Sequence, residues 1–184
     1  MKIMKIVLLV IIALIITIIA VYAYYGGFKK INFSVEKQGG EILVYENMIG
    51  DYKQTPAVSD KVYYSLLNDY GIVTTKGFGI YYDNPKEVEK SKLRSEIGCI
   101  VENLDSVTID KLSGKFQIKT QPYKNYITTK FPFKGKLSIM FGIMKVYPAL
   151  EKYLKEQKYP DSPVMEIYDI PNKKIIYRKE IIEK

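Results

Sequence analysis

Apolar letters are distributed in two different ways along this chain. From Ile6 to Phe28, IVLLVIIALIITIIAVYAYYGGF runs for 23 residues without a charge; beyond Lys29 the apolar positions come in short alternating or four-spaced sets. An uncharged run of that length predicts a helix able to cross the hydrocarbon core, which takes about 20 residues at ~1.5 Å each. Tyr22, Tyr24 and Tyr25 fall where an interfacial aromatic belt belongs, and Gly26-Gly27 ends the helix. A cleaved signal peptide is the competing reading, with Val21-Tyr22-Ala23 as its cleavage site. Signal peptides, however, carry apolar cores of about 7–15 residues. The expectation is therefore an uncleaved single-pass membrane anchor over 1–28 and a folded domain over 29–184. Lys2 and Lys5 on one side nearly balance Lys29, Lys30 and Lys37 on the other, which leaves the sidedness open.

Within the domain, Ile31, Phe33 and Val35 alternate, Gly39-Gly40 turns the chain, and Ile42 to Tyr45 returns, which predicts a strand hairpin over 31–46. Thr55-Pro56 has the form of a helix start. Val58, Val62, Leu66 and Tyr70 follow at four-residue spacing and Gly71 supplies a stop, predicting a helix over 56–70. GFGIYYDNPK (77–86) reads as a strand ending in an Asp-Asn-Pro turn, and 93–103 as another strand. The second half opens with strands near 115–120 and 123–131. A longer helix follows over 137–157, with Ile139, Ile143, Val146, Leu150 and Tyr153 on one face and a kink at Pro148. PVMEIYD and KKIIYRKEI supply the last two strands.

The halves repeat. Gly50 precedes Tyr82-Asp83-x-Pro85 and Gly135 precedes Tyr168-Asp169-x-Pro171, with Gly-to-Tyr separations of 32 and 33 and a helix in between each time. A duplicated strand–helix–strand–strand unit predicts an α+β domain with two main helices and a largely antiparallel sheet. Aligning Tyr168 with Tyr82 makes Glu166 the counterpart of Ile80. Residues two apart on a strand share a face, so Glu166 and Tyr168 are expected to point together, as are Ile80 and Tyr82, near the seam between the halves.

Composition narrows the chemistry. The 184 residues include 28 Lys+Arg and 20 Asp+Glu, a formal charge of +8, and no histidine. Without histidine, a Ser-His-Asp or Cys-His system and a His-ligated zinc site are excluded. The lone Cys99, in EIGCIVEN, reads as a buried hydrophobe and rules out an intramolecular disulfide. The basic residues are scattered, with no basic helix interleaved with aromatics, so no nucleic-acid partner is expected. No cofactor, metal site or catalytic residue is assigned.

GIYYDNPKEVEKSKLRSEIG, LSIMFGIMKVYPALEKYLKEQ and PVMEIYD, together with V-x-P-A-L and E-I-Y, resemble the GyrI-like small-molecule-binding domain, the likeness covering nearly all of 29–184. With its N-terminal membrane segment, the chain is more closely similar to a membrane-anchored branch that acts in ER-phagy. The long acidic tail of that branch does not follow Lys184, so its receptor role is not expected here. The resemblance implies a duplicated SHS2-type fold, a groove between the halves, and an effector-binding role. The glutamate of the E-x-Y strand, here Glu166, would contact cationic aromatic ligands, with Tyr168 beside it. No helix-turn-helix precedes the domain, which argues against a DNA-binding regulator.

Glu166, Tyr168 and Tyr82 are thus the candidate ligand-binding residues, with Tyr63 and Tyr81 able either to line the groove or to fill core. Asp83 and Asp169 read as turn-fixing residues before their prolines. For Glu166 the bland alternative is an ion pair with one of the many lysines, or a wet surface position. The functional expectation is a membrane-tethered module for small cationic or amphipathic molecules. An adaptor recruiting protein partners, or a hydrolase of strained electrophiles with Glu166 as general base, are the alternatives.

Overall fold

The computed structural model describes residues 2–182. Its strands form one eight-stranded sheet in which every pairing is antiparallel, in the order β1-β6-β8-β7-β3-β4-β2-β5. The strands are β1 (Ser34–Gln38), β2 (Ile42–Ile49), β3 (Lys76–Tyr81), β4 (Arg94–Val101), β5 (Gln117–Thr120), β6 (Lys124–Pro132), β7 (Val164–Asp169) and β8 (Lys174–Glu180). Exchanging each strand with the one four places along reverses this order onto itself. The sheet therefore carries a pseudo-twofold between β3 and β7, as the duplicated α+β plan requires. The landmark glycines keep their role: Gly50 (φ 143°) and Gly135 (φ 111°) both adopt left-handed φ where the chain leaves a strand ahead of a helix.

The hairpin expected over 31–46 does not form. Both strands exist, but β1 pairs with β6 and β2 lies between β4 and β5. Each half has lent its first strand to the other. Gly39-Gly40, which by itself reads as a hairpin turn, instead carries β1 into β2 across the equivalent β5–β6 linker. Gly40 N–H donates to the Gln121 carbonyl and Gln121 N–H to the Glu41 carbonyl, both at 2.8 Å. A side chain at Gly39 (φ 129°) would collide with the Pro122 carbonyl, so only glycine fits this crossing. Arg178, buried on β8, clamps the same corner through a two-pronged pair with Glu41 (2.8 and 3.1 Å).

Four helices accompany the sheet. On α2 (Thr55–Tyr70), Val62 and Leu66 pack on Val44, Cys99 and Val101, and Gly71 closes the helix in a left-handed conformation, as its spacing predicted. On α4 (Lys136–Gln157), Val146 and Leu150 are buried as expected, each worth roughly 1.5–3 kcal/mol. The buried face of α4 is turned from the predicted one, however. Ser138 and Gly142 lie against the sheet, Gly142 making room for the Tyr177 ring, and Ile143 is nearly half exposed. The short α3 (Ser106–Ser113) was not predicted; Asp105 caps it by accepting from Thr108 N–H at 2.7 Å. The opposite face of the sheet holds a second core around Leu43, Phe78, Ile80, Ile100, Met165 and Ile167.

The N-terminal α1 (Lys2–Tyr24) buries none of its residues against the domain and is long and apolar enough to cross a membrane. Its end is nonetheless attached. Tyr22 meets Phe141 of α4 edge-on at 5.3 Å, and Lys145 donates to the Gly27 carbonyl.

Candidate ligand-binding groove

Between α2 and α4 the sheet is open, and its floor is the β3–β7 seam. On β3 the helix-facing positions are Gly77, Gly79 and Tyr81. Gly77 pairs across the seam with Tyr168 and Gly79 with Glu166. Two glycines side by side in a strand sacrifice packing and backbone order, a cost that signals close approach by something else. At Gly79 that something is the Tyr81 ring, which folds back along its own strand to within 2.8 Å of where a Cβ would stand. The space above is an open groove of about 2070 Å³, larger than the ~300–1,000 Å³ of most small-molecule sites. Its walls include Ser59 and Tyr63 from α2 and Ile143, Tyr147 and Leu154 from α4.

Glu166 stands at the base of this groove, 2% exposed. Tyr147 donates to Oε1 at 2.7 Å and Tyr168 to Oε2 at 2.5 Å. Among the described residues no lysine or arginine forms an ion pair with it: the buried cations nearby on β8 are committed elsewhere, Arg178 to Glu41 and Lys179 to Asp161. The ion-pair reading and the wet-surface reading of Glu166 are both overturned. Burial pushes its carboxyl above the ordinary 4.5, against the downward pull of the Tyr168 and Tyr147 hydrogen bonds. Around it, burial and then the neighbouring carboxylate hold the phenols of Tyr147, Tyr168, Tyr81 and Tyr177 well above their usual value. The result is a proton-rich aromatic cup around one acid that lacks a cation.

The predicted residues divide. Glu166 and Tyr168 share a face, as read from the strand period. The Tyr82–Tyr168 alignment is one residue out of step with the pleat: Ile80 faces the second core and pairs with Met165 rather than sharing the side of Glu166. Tyr82 borders the groove, yet its hydroxyl donates to Glu96 at 2.8 Å and Arg94 lies over its ring at 5.8 Å. Tyr81 takes the inward place, and Tyr63 lines the α2 wall. Asp83 and Asp169 hold their turns, Asp83 by accepting from Arg94 N–H and its guanidinium, Asp169 by accepting from Asn172. Cys99 is buried, its thiol pushed up to about 12 by desolvation. Tyr147 went unnoticed; it lies one turn after Ile143, but only the fold turns that edge of α4 inward. No group of three or more side chains suited to a metal ion gathers among the described residues.

No family model matches the sequence. Human testis-expressed protein 264 is 34% identical over 99 residues, a stretch amounting to 50% of this chain and 32% of that protein, and the mouse homologue is 32% identical over the same length. The chain thus spans about a third of these relatives. Among solved structures, the EcmrR C-terminal domain superposes with a TM-score of 0.60 at 11% identity, covering 84% of this chain and 99% of that one. SAV2435 bound to tetraphenylphosphonium superposes at 0.54 with 11% identity, covering 82% and 94%. At such identities these likenesses establish a common fold.

Proposed function

We propose that this protein is a membrane-anchored GyrI-like domain, anchored by residues 1–28, whose residues 29–184 bind small cationic or amphipathic aromatic molecules between the two halves. Glu166 is the charge partner and Tyr168, Tyr147 and Tyr81 form the aromatic cup, with Tyr82 at the rim. One observation carries this reading: a buried carboxylate at the base of an open groove that, among the described residues, is hydrogen-bonded only to tyrosines. An uncompensated buried charge is costly. An incoming cation restores its pairing, and the tyrosine faces add ~0.5–2 kcal/mol of cation–π attraction. That a protein of the same fold is seen with tetraphenylphosphonium supports the ligand class.

The test compares binding of a quaternary aromatic cation with that of a neutral compound of the same shape, in wild type and Glu166→Gln. A charge-assisted contact is worth about 1.5–3 kcal/mol, so cation affinity should fall roughly ten- to a hundredfold in the variant while the neutral compound is unaffected. The ligand-free melting temperature should hold or rise. A lower melting temperature with unchanged cation affinity refutes the proposal, and an adaptor with a vestigial groove predicts no ligand-induced stabilisation at all.

A further inference from the structure

The outer surface of α4 changes character halfway along. In its second half the exposed positions are charged and paired, Glu151 with Lys155 and Lys152 with Glu156. In its first turns they are Lys136 followed by the apolar Leu137, Met140, Ile143 and Met144, the last 64% exposed. Four neighbouring apolar side chains on one exposed helical surface mark an interaction site. Nothing among the described residues covers them, and the pseudo-symmetric α2 exposes a single large hydrophobic side chain, Tyr64, beside Lys61 and Asp69, each in an ion pair.

The position of α1 indicates what the patch meets. The apolar helix ends at Tyr24, and its last turn is held against this same stretch of α4 through the Tyr22–Phe141 contact and the Lys145–Gly27 bond. Lys134, two residues before the α4 N-terminus, sits 4.2 Å over the Tyr24 ring. Lys29, Lys30, Lys134 and Lys136 ring the junction, and none of them forms an ion pair among the described residues. A basic rim beside apolar side chains on a helix, next to an interfacial aromatic turn, is the composition of a surface that lies in a headgroup layer.

From this we infer that the first turns of α4, with the surrounding lysines, dock onto an anionic lipid surface. The inference rests on α1 spanning that bilayer. Met140, Ile143 and Met144 also line the groove, so docking sets its α4 rim at the membrane, where amphipathic molecules concentrate.

The experiment uses the full chain reconstituted into phosphatidylcholine vesicles with and without phosphatidylserine. Single cysteines at Ile12→Cys, Met144→Cys and Lys152→Cys carry an environment-sensitive fluorophore; buried Cys99 is controlled by the chain without an added cysteine. With phosphatidylserine present, labels at 12 and 144 should be quenched by doxyl lipids and shielded from iodide, while the label at 152 stays iodide-accessible. Lys134→Gln and Lys136→Gln should each lower the docked-to-free ratio at 144 by roughly fivefold, as expected for one lysine at an anionic surface. If 12 is lipid-quenched and 144 is as iodide-accessible as 152, the docking surface is refuted and the anchor stands. If neither is lipid-quenched, both fall. Shielding at 144 that follows protein density rather than lipid charge would mean a second copy covers the patch, and would also overturn the inference. Cation binding by the groove is read separately, on Glu166→Gln.

Discussion

Across the seam, β3 turns Gly77 and Gly79 toward the helices, whereas β7 turns Tyr168 and Glu166 toward them at the facing positions. The α2 wall exposes paired charges and one tyrosine, Tyr64; the first half of the α4 wall exposes four large apolar side chains and lies against α1. The two halves thus differ at the seam, one placing glycines and the other a carboxylate and a tyrosine. The reason is electrostatic. Facing positions of an antiparallel pair stand about 5 Å apart, and two buried carboxylates at that distance cannot both ionise. One acid opposite a glycine leaves room for the Tyr81 ring and no rival for its proton.

The comparison can be broken most directly by crowding the glycine side. Gly79→Val puts branched atoms where the Tyr81 ring now lies. Overpacking of this kind costs roughly 1–3 kcal/mol, and cation binding should be lost with the floor of the groove. Gly77→Ala is the control: a Cβ there meets nothing closer than 3.8 Å, so it should stabilise by about 0.4–1 kcal/mol. Chemical denaturation of both variants gives the answer, and equal effects would mean that the two glycines do not differ in role.

A smaller difference separates the tyrosines around the acid. Tyr147 donates to Glu166, whereas the buried Tyr177 hydroxyl has no hydrogen-bond partner among the described residues. Tyr147→Phe should therefore destabilise the protein by about 1–2 kcal/mol above the titration of Glu166, while Tyr177→Phe should be neutral or stabilising. Thermal melts that rank the two in the opposite order would remove Tyr147 from the cup.

The mildest probe is pH. Glu166 is held above its ordinary 4.5, so the folded protein favours the protonated form. Its contribution to ligand-free stability is present below the unfolded value and is lost as pH rises through the higher folded one. On the proposed function, cation binding runs the other way, because it would need the carboxylate. Affinity should climb with pH through that same window by at most about tenfold per pH unit, and Glu166→Gln should flatten the profile. A wild-type profile that is flat from pH 4.5 upward would show that Glu166 is not the group the cation meets.

Several parts of this arrangement were legible along the chain. The period of four on α2, the strand period of PVMEIYD and the Asp-x-Pro turns are local patterns, and local hydrogen bonding and packing enforce them. Glu166 stood out because an acid amid apolar letters has few reasons to be there. The Tyr82 equivalence failed because a motif can repeat in sequence while slipping one residue against the pleat, and one residue reverses the face. The hairpin failed because Gly39-Gly40 permits left-handed φ for either a tight turn or a crossing. Which occurs depends on the Gln121 linker, more than 80 residues away.

By itself, then, the amino-acid order determined where the strands and all helices but the short α3 lie, that one helix is apolar enough for a membrane, and that one carboxylate would be out of place. These are properties of a residue and its near neighbours. Only the tertiary structure decided that the halves exchange their first strands, that Tyr147 and Tyr168 both donate to Glu166, and that no lysine or arginine among the described residues pairs with it. It also brought the apolar turns of α4 to the foot of α1. Those outcomes depend on strand register and on which side chains of distant segments share a face. Such choices are settled by the packing of the whole sheet, because a shift of one residue that leaves local propensities unchanged exchanges one face for the other.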